Sequence, residues 1–76
     1  MNNTRRRQLR ALIAACESLR DQLADLSVEE DRAQASMPEN LIESPQYIRM
    51  DLACIHMDRA RAAAETAIAE MTEAMQ

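Results

Sequence analysis

Apolar residues recur through the first half of the chain at alternating steps of three and four: Leu9, Leu12, Cys16, Leu19, Leu23, Leu26, then Glu30, Ala33 and Met37. This is the a/d seam of an amphipathic helix, with Glu30 as its one charged interruption. Ile13 and Ala15 widen the stripe, while Arg10, Glu17, Asp21, Asp25 and Arg32 take the opposite face. Two readings of Glu30 stand: it reaches water near the helix end, or it is a buried carboxylate that fixes register by pairing with an arginine. The second half begins with Ile48, Leu52 and Ile55 and continues as a broader band of Cys54, Met57, Ala60, Ala64, Ala67, Ile68, Met71 and Met75. Small side chains let another helix approach closely, and methionine fills irregular gaps. A band this wide predicts two neighbours for the second helix, hence four helices in all. Read instead as an open groove, the same Met/Ala band would take a foreign helix.

Between the two patterns lies a polar connector holding both prolines of the chain, Pro38 and Pro45. Proline lacks a backbone N–H, and it drives the preceding residue out of the helical region. The first helix is therefore expected over 4–35, the connector over 36–44 and the second helix over 45–75, together one domain. Thr4 is the expected N-cap of the first helix, with Asn2 and Asn3 as alternatives, and Ser44-Pro45 makes a strong start for the second. Ser36 and Glu39 have capping-box spacing, which predicts a short turn over 38–42. Leu41 and Ile42 are expected to plug the end of the bundle.

Met37-Pro38-Glu39-Asn40-Leu41 followed by Glu43-Ser44 resembles the P-E-N-L-x-x-S connector of small helical-hairpin proteins of phages and prophages. Pro45 and Tyr47 depart from the polar residues more usual there. The resemblance implies a helical hairpin and a phage or mobile-element context, and it implies no chemistry.

Composition agrees with helices only. The 76 residues include no glycine, phenylalanine or tryptophan, and 14 are alanine; strands and tight turns draw on the former, long helices on the latter. A lone two-helix hairpin has one internal interface, and chains of this size usually associate to bury enough apolar surface. The expected architecture is thus an all-α antiparallel hairpin that dimerises into a four-helix bundle, with Leu12, Leu19, Leu23, Leu26, Leu52, Ile55, Met57 and Ile68 as the core and dimer residues. Folding the helices together puts residues whose numbers sum to about 81 side by side, given equal rise along both. Arg5, Arg6, Arg7 and Arg10 then meet Glu70 and Glu73, and Asp21 and Asp25 meet Arg59, Arg61 and His56. The terminal arginines and glutamates each sit alone at the wrong end of their helix dipole, so the pairing supports an antiparallel arrangement.

Little in the chain suggests chemistry. Cys54 and His56 are two residues apart, about 200° around a helix, and cannot share a metal. Glu17, Asp21, Asp25 and Glu29 are strung along a helix, whereas hard cations need oxygens converging on one point. Cys16 and Cys54 fall about 16 Å apart along the hairpin axis, too far for a disulfide within one chain. No metal, cofactor or catalytic residue is assigned, and the chain is expected not to be an enzyme. A net charge of −4 disfavours nucleic acid as the main partner. No stretch is long and apolar enough to span a membrane, and no signal-peptide core follows the N-terminal arginines, so a cytoplasmic location is expected. The sequence therefore reads as a small interaction or scaffolding protein whose partner is a second copy or another protein. The alternative is a nucleic-acid accessory protein or regulator that contacts phosphates through Arg5, Arg6, Arg7 and Arg10.

Overall fold

The computed structural model describes all 76 residues. Two long helices, α1 (Asn3–Ala35) and α2 (Pro45–Ala74), pack against each other, with one 3-10 turn (Glu39–Leu41) between them and no strand. They form a rod whose Cα trace measures 59 × 14 × 13 Å. Four hydrogen bonds cross from helix to helix. Their partners have numbers summing to 81 (Arg6 with Met75) or 85 (Ser27 with Asp58, Gln34 with Asp51, Asp31 with Cys54). The helices are therefore antiparallel, and residues at one height have numbers summing to about 83.

The helix ends follow from local chemistry, with two corrections to the sequence reading. Asn2, not Thr4, caps α1: its extended backbone lets Oδ1 accept from the Arg5 N–H at 2.8 Å. An asparagine oxygen serves this role at least as well as a threonine hydroxyl, and it captures one more residue for the helix. The Ser36–Glu39 capping box does not form. The Ser36 hydroxyl donates backward to the Arg32 carbonyl at 2.9 Å, closing α1 rather than opening the next turn. That turn begins at Pro38 without a side-chain cap. Ser44 caps α2 as expected: its backbone is extended, as a residue before proline must be, and its hydroxyl accepts from the Tyr47 N–H at 3.3 Å. No residue of the bend has a positive φ, so the chain turns through proline geometry without glycine. Leu41 and Ile42 stand exposed in the hairpin and do not plug its end.

The helix–helix seam is the third correction. The half-buried and buried residues of α1 are Arg6, Leu9, Ile13, Cys16, Arg20, Leu23, Ser27, Glu30 and Gln34, with Ala24 beside them. These also alternate by three and four, but only every second position belongs to the leucine-rich stripe. The others are Arg6, Ile13, Arg20, Ser27 and Gln34. Leu12, Leu19 and Leu26 lie to one side of the seam, and each is about half exposed. On α2 the seam is Tyr47, Met50, Cys54, Met57, Arg61, Ala64, Ile68 and Met71. Only Ser27, Cys54 and Ala64 are buried, and no large side chain is fully enclosed.

Replacing Ser44 by alanine is expected to destabilise the fold by about 1 kcal/mol, the usual cost of an N-cap. Ser36→Ala caps no helix start and should cost less than about 0.5 kcal/mol. Urea unfolding of both variants at one protein concentration checks the contrast.

Candidate interaction face

The rod has two unlike edges. One is polar. There the Ser27 hydroxyl donates to Asp58 Oδ1 at 3.2 Å, the Gln34 amide donates to Asp51 Oδ1 at 3.3 Å, and the Cys54 thiol donates to Asp31 Oδ1 at 3.2 Å. Asp58 also pairs with Arg61 of its own helix at 3.7 Å. Cys54 and Ser27 are buried here because each fills the seam beside a carboxylate that accepts its hydrogen. The Cys54 thiol is raised from its ordinary value to about 11, first by its hydrogen bond to the Asp31 carboxylate, then by burial and by the negative charges of Asp31, Glu30 and Asp58.

The other edge is apolar. On α1 it carries Leu12, Leu19 and Leu26, seven residues apart and 55%, 51% and 51% exposed. On α2 the matching column is Ala53, Ala60, Ala67 and Ala74, also seven apart. Each of the first three precedes a seam residue (Cys54, Arg61, Ile68), which turns the column away from the Asp51 and Asp58 edge. Together with the seam residues beside them, Leu9, Cys16 and Leu23 on α1 and Met50, Met57, Ala64 and Met71 on α2, these columns make a continuous apolar strip. Glu30 is its one charged member, half-buried and without an ion pair. The rod contains no pocket.

Of the residues expected to form core and dimer contacts, Leu23, Met57 and Ile68 lie in the seam. Leu12, Leu19 and Leu26 lie on the apolar edge. Leu52 and Ile55 are exposed on the outer side of α2 with Ile48, away from α1. The expected cross-helix ion pairs are absent. The two ion pairs present, Arg20–Asp21 at 3.1 Å and Arg61–Asp58 at 3.7 Å, each lie within one helix. Of the N-terminal arginines only Arg6 reaches α2, where Nε donates to the Met75 carbonyl at 3.3 Å. The dipole argument holds there in altered form: a guanidinium meets the free carbonyls at the end of α2 instead of Glu70 or Glu73. Arg5, Arg7 and Arg10 are exposed. Cys16 and Cys54 are both free thiols, and no three His, Cys, Asp or Glu side chains converge on a common point. Neither helix is long and apolar enough to cross a membrane. The polar edge was missed in the sequence reading, because Ser27, Gln34 and Asp58 belong to no apolar period. The seven-residue recurrence of Ala53, Ala60, Ala67 and Ala74 was a signal that could have been used. Comparison with protein-family models, with curated proteins and with solved structures gave no match.

The raised Cys54 thiol has a definite consequence for stability. Between the ordinary thiol range and about 11 the folded chain holds a proton that the unfolded chain has released. The stabilisation is complete below pH about 9 and is lost as pH rises through about 11. Unfolding midpoints should therefore fall over this interval, and the Cys54→Ala chain should show a shallower decline. Cys54 should also resist an aromatic disulfide reagent at pH 8 until the protein is unfolded.

Proposed function

We propose that this chain is a non-catalytic helical interaction or scaffolding protein that works as a homodimer, two hairpins packed as a four-helix bundle. The observation that carries this reading is what the hairpin leaves outside. Its accessible surface is 5630 Å², whereas a folded monomer of 8.6 kDa is expected to expose about 4,700 Å². The excess of about 900 Å² is close to the roughly 800 Å² that one partner contributes to a standard interface. The exposed leucines and the half-polar seam point the same way: three of the bulkiest apolar side chains are half in water, while Arg6, Arg20, Glu30 and Arg61 occupy seam positions. The connector's resemblance to phage and prophage hairpins supports a phage or mobile-element origin, with work in the cytoplasm.

The exposure of Arg5, Arg7 and Arg10 favours one second reading, a nucleic-acid accessory role through these arginines. The net charge of −4 opposes it, because counterion release rewards positive charge.

Sedimentation equilibrium at tens of micromolar chain is expected to give twice the 8.6 kDa chain mass. A monomer of high helicity at that concentration would overturn the proposal. The arginine reading predicts salt-sensitive retention of a DNA or RNA duplex that is lost when Arg5, Arg7 and Arg10 become alanine; the scaffold reading predicts no retention at physiological salt.

A further inference from the structure

The proposed dimer leaves open which face is covered and how the two rods are oriented. We infer that a second copy of this chain covers the edge formed by Leu12, Leu19 and Leu26 of α1 and Ala53, Ala60 and Ala67 of α2, with both bends at the same end. This rests on the dimer reading and assigns it a surface and a symmetry.

The occupant follows from shape and area. The edge is a strip along the middle of a 59 Å rod, its leucine and alanine columns each about 21 Å long at 1.5 Å per residue, bulky on the α1 side and small on the α2 side. A strip of this kind is complementary to itself after a half-turn about the rod axis. That rotation brings the leucine column of each copy over the alanine column of the other, so large side chains meet small ones across the interface. It also keeps every residue at its own height. Within a hairpin, equal heights sum to about 83, so across the interface Leu12 falls between the partner's Ala67 and Ala74, Leu19 between the partner's Ala60 and Ala67, and Leu26 between the partner's Ala53 and Ala60. Each leucine then enters a hole between two alanines, as knobs enter holes in a coiled coil. A half-turn about an axis across the rod would instead stack leucine on leucine and alanine on alanine, leaving one pair of helices wide and the other tight.

Charge at the margin agrees. Glu29 flanks the leucine column, and Arg49 and His56 flank the alanine column. At equal heights Glu29 falls between the partner's Arg49 and the partner's His56, so its carboxylate and the guanidinium of the partner's Arg49, of opposite sign, lie along the same margin. The surplus of about 900 Å² is also of the size that one partner contributes to a standard interface. The patch of Ile48, Leu52 and Ile55 lies on the far side of α2 and is too short to account for that surplus. A symmetric interface of this type closes on itself and stops at two copies.

Two measurements test face and orientation separately. Leu19→Lys places two ammonium groups in the interface and should weaken dimerisation on the order of 100-fold or more, while Leu52→Lys on the outer side should leave the dimer mass unchanged. If Leu52→Lys alone dissociates the dimer, the face is wrong although the dimer stands; if the unaltered chain is a monomer, the dimer reading itself fails. For orientation, spin labels at Asn40→Cys, in a chain also carrying Cys16→Ala and Cys54→Ser, report the distance between the two bends. Helix spacings of 8–10 Å place labels at one end roughly 20–30 Å apart. A distance approaching the 59 Å rod length would overturn the assigned symmetry, and it can be read even if Leu19→Lys fails to fold.

Discussion

Arg20 and Arg61 occupy seam positions at nearly the same height, one on each helix, and both are half-buried. Two guanidinium groups facing each other there would repel, so each turns to a carboxylate of its own helix: Arg20 to Asp21, Arg61 to Asp58. The midpoint of the hairpin is therefore held by the stems of two long side chains with their charges led outward. Around it, Arg6, Ser27, Glu30 and Gln34 make much of the α1 side of the seam polar. Such a seam specifies alignment, because shifting it would strand Ser27, Gln34 and Cys54 away from their aspartates. Its exposed ion pairs contribute little net stability, about 1 kcal/mol or less each. Everything else in the molecule depends on finding apolar burial elsewhere.

The surface available for that burial is most extensive on the edge that carries Leu12, Leu19 and Leu26. The α1 helix is rotated so that its leucine-rich stripe straddles the boundary between α2 and solvent: Leu9 and Leu23 touch the seam, while Leu12, Leu19 and Leu26 remain outside it. In a four-helix bundle each helix has two neighbours and aims its apolar stripe between them. The rotation of α1 suits a helix with a second neighbour, which the proposed dimer would supply. The same is true of α2, where the Met and Ala columns continue the seam onto the free edge.

This rotation explains what could and could not be read from the sequence. The two helices, their antiparallel packing and the Ser44-Pro45 start were legible because prolines, caps and a 3/4 period act locally. The stripe Leu9, Leu12, Cys16, Leu19, Leu23, Leu26 was also real, but periodicity states which residues avoid water and not which neighbour covers them. Its alternate members went to different sides, one set to α2 and the other to the exposed edge. The polar edge was invisible for a related reason: Asp31, Asp51 and Asp58 look like solvated-face residues until a thiol, an amide and a hydroxyl on the opposite helix are brought against them. The predicted Arg–Glu pairing at the open end failed on geometry. Arg6 found the nearer acceptor, the Met75 carbonyl at the unsatisfied end of α2.

If the hairpin depends on a second copy for its apolar burial, folding and association are one equilibrium. The most direct test is thermal unfolding followed by helicity over a 100-fold range of chain concentration. Unfolding of a dimer to separated chains should be stabilised by about 2.7 kcal/mol across that range, so the midpoint rises with concentration. A midpoint that does not move, with full helicity at the lowest concentration, would mean that the polar seam suffices alone and would contradict the account.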